Sequence, residues 1–285
     1  MDMKLEDHAL VGPDWLAERL DDPGLRLIQV DWVGTEAYDQ QHIPGAIGWN
    51  WKEWLWDPIT REFPTPEEFA RRCEENGITN NTTVVFYGEP PQFGTYAWWV
   101  FKYMNHKDVR FLDGGWKRWL AEGRPLTSER PAVGPTTYVP PQVVGWHMRA
   151  SRDEVLADLD AFNNGVETVL LDHRSPEEFC GELVNVPGKP DVGAERYGRI
   201  PGARHLHFAD FLNPDTSFKP AAELEALLTA RGATRAKKIV SYCRLSHRAT
   251  LAYFVMTELL GYDKVKSYDG SWTEWGSMVG MPIER

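Results

Sequence analysis

This chain repeats itself, and an internal repeat is the strongest restriction a sequence can place on its own fold. In the first half Leu27-Ile28-Gln29-Val30-Asp31 is followed by Gln41-His42-Ile43-Pro44-Gly45-Ala46. In the second half Val169-Leu170-Leu171-Asp172-His173-Arg174 is followed by Gly198-Arg199-Ile200-Pro201-Gly202-Ala203. Thr83-Val84-Val85-Phe86-Tyr87 is matched by Lys238-Ile239-Val240-Ser241-Tyr242. Val109-Arg110-Phe111-Leu112-Asp113-Gly114-Gly115-Trp116 is matched by Val265-Lys266-Ser267-Tyr268-Asp269-Gly270-Ser271-Trp272. The blocks keep their order, so the 285 residues are expected to form two domains of similar fold by duplication.

Within each copy, short apolar runs alternate with helical patterns. Helices are predicted over 66–76 and 96–104 in the first copy, and over 151–162, 221–230 and 249–260 in the second. Ser151 reads as an N-cap, with Glu154 three residues on. Strands alternating with helices imply an α/β fold, a mainly parallel sheet flanked by helices on both faces. The domains are read as 1–128 and 146–285, joined by a linker over 129–145 that Pro131, Gly134, Pro135, Pro140 and Pro141 punctuate. Ligands of such sheets bind beyond the carboxyl ends of the strands.

The chemistry concentrates at one such end. Residues 239–242 have the length of a buried strand, and 249–260 form an apolar run without Gly or Pro. The six residues between them begin with Cys243. First-turn N–H groups of the following helix point back at this loop with about half a positive charge, and a tight turn adds an anion-binding nest. Arg244 and Arg248 add charge, and His247 stands beside them. A thiolate held there is expected to have a pKa below the free value of about 8.5. Cys243 is therefore the candidate nucleophile, and Arg244, Leu245, Ser246, His247 and Arg248 the candidate anion cradle. Without the two arginines, a buried inert cysteine would be the better reading.

Aligning the copies on Tyr87 and Tyr242 puts Gly88 opposite Cys243, Glu89 opposite Arg244, Gln92 opposite His247 and Phe93 opposite Arg248. Pro90 and Pro91 would fill the middle of the first loop. With no thiol, no basic group and an acid in the cradle, the first copy cannot do thiolate chemistry. Its expected role is to support the second domain and to shape one wall of a cleft.

Other classes are argued against. The formal charge of -11 disfavours nucleic acid and anionic membrane surfaces as partners. No apolar run reaches the ~18 residues of a membrane helix, and the acidic start resembles neither a signal nor a transit peptide, so a cytoplasmic protein is expected. Three cysteines, Cys73, Cys180 and Cys243, without regular spacing argue against a disulfide framework. The eight histidines form no metal-ligand pattern; His205 and His207 alternate as on one face of a strand. No metal and no cofactor is expected. Cys73 reads as structural, and Cys180 as a small buried residue before a resolving thiol. The thirteen tryptophans read first as core and interface packing.

The paired Ile-Pro-Gly-Ala blocks, Asp172-His173-Arg174, the Cys243 loop and Gly270-Ser271-Trp272-Thr273-Glu274-Trp275-Gly276 together resemble the tandem-domain rhodaneses, the thiosulfate and mercaptopyruvate sulfurtransferases. The resemblance covers nearly the whole chain. It implies two rhodanese-like domains, the first inactive and the second catalytic. It also implies a relay in which Cys243 takes sulfane sulfur from thiosulfate as a persulfide, releases sulfite, and passes the sulfur to cyanide or a thiol. A protein thiol is a further acceptor. Arg174 matches the family's Asp-x-Arg, and the Asp172–Arg174 pair is read as support for the loop. Arg244 at the loop's second position resembles the thiosulfate type, where the mercaptopyruvate type runs Cys-Gly-Ser-Gly. Glu178 and Cys180 stand where related sequences carry arginines for a carboxylate. Ser246 replaces a Gly frequent in the family. A mercaptopyruvate sulfurtransferase and a sulfur-carrier or binding module remain the alternatives. A phosphatase would need a loop one residue longer.

Overall fold

The computed structural model describes residues 9–184 and 193–285. The chain divides into two compact units, one running to Gly145 and including Pro214–Phe218, the other formed by Trp146–Asn213 and Lys219–Arg285.

In unit 1 the strands are β1 (Leu10–Val11), β2 (Leu25–Asp31), β3 (Ile47–Asn50), β4 (Thr83–Glu89) and β5 (Val109–Leu112). The helices are α1 (Pro13–Ala17), α2 (Glu36–Gln40), α3 (Trp51–Leu55), α4 (Pro66–Glu75), α5 (Pro91–Tyr103) and α6 (Gly115–Ala121). In unit 2 the strands are β6 (Arg149–Ala150), β7 (Thr168–Asp172), β8 (Arg204–His205), β9 (Lys238–Tyr242) and β10 (Val265–Tyr268). Its helices are α7 (Arg152–Ala157), α8 (Leu159–Asn164), α9 (Pro176–Cys180), α10 (Ala221–Ala230), α11 (His247–Phe254) and α12 (Ser271–Trp275).

The sheets have the orders β1-β5-β4-β2-β3 and β6-β10-β9-β7-β8, the same order in each unit. Every pairing between these strands is parallel. Each unit is thus a five-stranded parallel sheet flanked by helices, and the two form a tandem α/β pair. Every residue of the interior strand β7 is buried, as a strand covered on both faces requires. In unit 2 the chain turns in opposite directions from β7 and from β9, so the crevice at their carboxyl ends is the switch point where such sheets hold ligands. Asp172 is in register with Tyr242 there, which brings the loops after both strands together.

Local details depart from the sequence reading. The helix predicted over 151–162 is two helices meeting at Asp158, whose carboxylate is drawn 2.5 Å from Lys238 Nζ on β9. The capping box at its start is present, Ser151 accepting from the Glu154 N–H. The helix predicted from 249 begins two residues earlier, and its last turn, Val255–Leu259, widens to a π-helix. Pro91 does not fill a loop in the first copy. It is the first residue of α5, where its fixed φ suits a helix start, and Pro90 alone separates β4 from α5. Residues 129–145 lie against unit 1: Tyr138 is buried with its hydroxyl 2.8 Å from His106 Nδ1, and Thr136 Oγ1 donates to Ile78 O. His205 lies on β8, but His207 is past its end, capping a short 3-10 turn at Phe208–Phe211.

The tryptophans of unit 1 sit mainly in the core: Trp49, Trp51, Trp98, Trp99 and Trp119 are fully buried. Rings of this size each contribute on the order of 2–3 kcal/mol by burial. Cys73 is buried in α4, and burial pushes its thiol pKa well up. No helix among the described residues is long and apolar enough to cross a membrane.

Candidate active site

β9 ends at Tyr242, and the chain passes through Cys243, Arg244, Leu245 and Ser246 before α11 starts at His247. The loop is four residues long and not six, because His247 and Arg248 already belong to the helix. The turn is made at Ser246, which has φ +70°. A left-handed conformation costs a non-glycine residue about 1 kcal/mol or more. Here it is offset by a buried hydrogen bond, 3.0 Å, between Ser246 Oγ and Ser267 Oγ on β10. The same bond turns the hydroxyl away from the helix, so Ser246 gives no side-chain cap to the first-turn N–H groups of α11. These groups keep their capacity to meet an anion.

The opposite side of the loop is pinned by α12. Trp272 N–H donates to Cys243 O (3.0 Å), and Thr273 donates to Arg244 O through its N–H (3.1 Å) and its hydroxyl (2.8 Å). Ser271 Oγ accepts from Cys243 N–H at 3.2 Å and donates to Tyr268 O at 2.8 Å. In a planar trans peptide the carbonyl and the following N–H point in opposite directions. With the carbonyls of Cys243 and Arg244 held by α12, the N–H groups of Arg244 and Leu245 therefore face away from it. The orientation of the loop is set by α12, which fixes these two carbonyls. Sequence reasoning gave Ser271 and Thr273 no role; the only signal was their place in the 270–276 run that carries the family resemblance.

Cys243 is 1 % exposed, and Arg244, Leu245, Ser246 and His247 are also buried. Burial lowers the Arg244 pKa, and the neighbouring Arg248 charge lowers it further. Arg248 does not stand open to the loop. Its Nη1 donates to Glu178 Oε2 at 2.6 Å and its Nη2 to Oε1 at 3.0 Å. Burial works against the Glu178 carboxylate, but Arg248 outweighs it and holds the pKa down to about 2. Glu178 also closes a capping box with Ser175 at the start of α9. The spacing Ser175-x-x-Glu178 carries that cap in sequence, while the ion pair to Arg248 is visible only in three dimensions.

Asp172 and Arg174 lie under the loop. Arg174 Nε is 3.0 Å from both Asp172 oxygens, its Nη2 is 2.6 Å from Oδ2, and the same nitrogen donates to Gly198 O at 2.8 Å. Both side chains are fully buried. The guanidinium carbon sits 4.6 Å from the Trp272 ring centroid and 5.7 Å from that of Tyr242. Burial alone would lower the Arg174 pKa, but Asp172 holds it above the usual value. His173 is buried between Leu206 O and Ser241 Oγ, and burial lowers its pKa to about 4, so it is neutral at pH 7. Cys180 is exposed at the end of α9, which corrects its reading as a buried residue; a five-residue helix ending in Gly181 leaves its last side chain uncovered.

The matching position in unit 1 is closed. A Cβ on Gly88 would lie 2.5 Å from Gly94 N, 2.9 Å from Pro90 O and 3.1 Å from Val30 O, so no side chain fits where Cys243 stands in unit 2. The charge there is also reversed, with Asp31 opposite Glu89 in the β2–β4 register. Burial pushes the Asp31 pKa up to about 6, with Glu89 and Glu36 adding repulsion, against hydrogen bonds from Gln29 and the Tyr38 backbone. An acid whose folded pKa is raised costs no stability below its usual value of 3.8 and its full penalty above about 6. Asp31→Asn is therefore expected to stabilise the protein by about 2 kcal/mol at pH 8 and by nothing near pH 4. Denaturant titrations at both pH values check this; equal effects at the two would refute it.

The rhodanese-like domain family matches this chain twice, over residues 12–122 and 152–278. TtuD of Thermus thermophilus, named a sulfur carrier protein, is 47 % identical over 279 residues, covering 98 % of this chain and 97 % of the relative. A Haloferax volcanii protein named "Putative thiosulfate sulfurtransferase" is 42 % identical over 292 residues, covering 99 % of each. Among solved structures, the anaerobic ergothioneine biosynthesis enzyme of Chlorobium limicola, in complex with trimethyl histidine, superposes with a TM-score of 0.83 at 26 % identity, over 100 % of this chain and 72 % of that one. Matched twice by one domain family and similar end to end to chains named for sulfur transfer, this chain belongs to the tandem-domain rhodanese family.

Proposed function

We propose that this rhodanese-family sulfurtransferase moves sulfane sulfur from thiosulfate to a thiophilic acceptor through a persulfide on Cys243, with unit 2 as the catalytic domain and unit 1 as the inactive one. The observation that carries the reading is the α12 clamp, which turns the Arg244 and Leu245 N–H groups away from the fixed carbonyls at the start of an uncapped helix. In the first step the Cys243 thiolate attacks the outer sulfur of thiosulfate. A new S–S bond forms to Cys243, the old S–S bond breaks, and its electron pair leaves with sulfite. The persulfide keeps one negative charge on its terminal sulfur, the charge a turn of N–H groups is suited to hold. In the second step cyanide or a thiolate attacks that terminal sulfur and the electron pair returns to Cys243, giving ping-pong order.

Two features favour thiosulfate over mercaptopyruvate. Arg244 follows Cys243 where the mercaptopyruvate type has a small residue, and Glu178 stands where that type carries an arginine to clamp the substrate carboxylate. The likeness to TtuD supports a second reading of the same chemistry, a carrier whose persulfide passes to a protein thiol. Intact-protein mass after incubation with thiosulfate, then with cyanide, tests the proposal. A gain of one sulfur (about 32 Da) that cyanide removes, with release of sulfite, is expected. Loading by mercaptopyruvate but not by thiosulfate would overturn the donor. A persulfide that forms but turns over only with a protein thiol would select the carrier reading.

A further inference from the structure

We propose that Glu178 is a specificity-determining residue that sets the charge of the Cys243 cradle: its ion pair makes Arg248 a positioning residue and limits the site's attraction for dianions. This deepens the sulfurtransferase reading and rests on it for the identity of the anions.

The carboxylate is held at three points. Oε2 accepts from Ser175 N–H at 3.0 Å and from Arg248 Nη1 at 2.6 Å, while Oε1 accepts from Arg248 Nη2 at 3.0 Å. Glu178 is 3 % exposed, so solvent does little to screen it. A capping role does not require an acid. In a capping box the third helical residue is Glu or Gln, and a glutamine oxygen would accept from Ser175 N–H and from Arg248 Nη1, giving up only the Arg248 Nη2 bond. What glutamate adds is the negative charge and the second acceptor for Arg248, and that charge meets the guanidinium at the helix end of the Cys243 loop. Arg248 is fixed in place by the pair, and its attraction for an incoming anion is largely cancelled.

The consequence differs between ligands. A thiolate or persulfide carries one negative charge; thiosulfate and sulfite carry two. Cancelling one cationic charge near the site weakens a dianion more than a monoanion, so the pair keeps thiosulfate weakly held and lets sulfite leave.

The test reads local charge at Cys243 without requiring sulfur transfer. In a Cys180→Ser background, which removes the exposed competing thiol, Cys243 is alkylated with iodoacetate (an anion) and with iodoacetamide (neutral), and the modified peptide is quantified by mass. Cys243 is nearly inaccessible, so both rates are slow, but their ratio cancels the shared access step. Glu178→Gln is expected to raise the iodoacetate-to-iodoacetamide ratio about tenfold at low salt, and less at about 0.5 M salt. Glu178→Asp, which retains the charge, is expected to stay near the parent ratio. Arg248→Gln approaches from the other side: it exposes the Glu178 charge and is expected to lower the ratio about tenfold. Ratios within twofold of the parent in either charge-changing variant would overturn the proposal. In steady state, Glu178→Gln is expected to lower KM for thiosulfate and to strengthen inhibition by sulfite. A parent protein that takes no sulfur from thiosulfate would overturn the donor assignment and leave the alkylation result standing.

Discussion

Cys243→Ser is expected to abolish sulfur loading and to lower thiosulfate turnover by about a thousandfold or more. A serine hydroxyl is not ionised near neutral pH and forms no persulfide, so the covalent step is lost and not merely slowed. The loop should survive the change, because what fixes it is backbone: Cys243 N–H to Ser271 Oγ and Cys243 O to Trp272 N–H. The variant is expected to melt within a few degrees of the parent, which separates lost chemistry from lost fold. Intact mass after thiosulfate treatment and steady-state rates check both halves. A variant that still gains sulfur would move the chemistry to another thiol. Exposed Cys180 would then be the residue to test; Cys73 is buried in α4 with its pKa pushed up, so its reactive thiolate is scarce.

The fold was legible because the repeat did two things at once. The matched blocks fall on β2, β4 and β5 in unit 1 and on β7, β9 and β10 in unit 2, and equal strand orders follow from equal block orders. Helix boundaries were less legible where tertiary contacts decide them. Nothing local in 151–162 says that Asp158 will be drawn to Lys238, a partner 80 residues away. Pro90 and Pro91 looked like loop residues, yet the helix start is where proline is best tolerated. At the site, the strand–cysteine–helix order could be read from composition and periodicity. The α12 clamp could not, since a Ser-Trp-Thr run has no intrinsic signature of carbonyl binding. Glu178 shows the same limit. Its acid was visible as a charge opposed to substrate carboxylates, but its partner Arg248 lies 70 residues away and is found only by folding the chain. The segment between Gly181 and Tyr197, an insertion relative to the first copy that its Pro and Gly content suits to the surface, falls largely on residues 185–192, outside the described residues.

Asp172→Ala is expected to destabilise the protein by about 3–5 kcal/mol, the cost of leaving a buried charge without its partner. Arg174 is fully buried, and three of its contacts with Asp172 lie at 3.0 Å or closer. Without Asp172 it keeps one carbonyl, Gly198 O, and the Trp272 and Tyr242 rings. Those contacts do not neutralise it. The loss extends to backbone order, because Asp172 Oδ1 also accepts from Arg174 N–H at 3.0 Å and so shapes the turn after β7. Trp272 links this turn to the Cys243 loop: its ring carries Arg174, and its N–H holds Cys243 O. A disturbed Arg174 should therefore slow sulfur loading even in protein that remains folded. Replacing both partners, as Asp172→Asn with Arg174→Met, is expected to recover much of the stability, since no unpaired charge is then buried. It should not recover full activity if the pair orients the loop. Urea titration of the single and double variants, with loading rates on each, separates the outcomes. A cost below about 1 kcal/mol for Asp172→Ala would mean that the pair does not brace the fold. Full activity in the double variant would mean that it fills space under the loop without positioning Cys243.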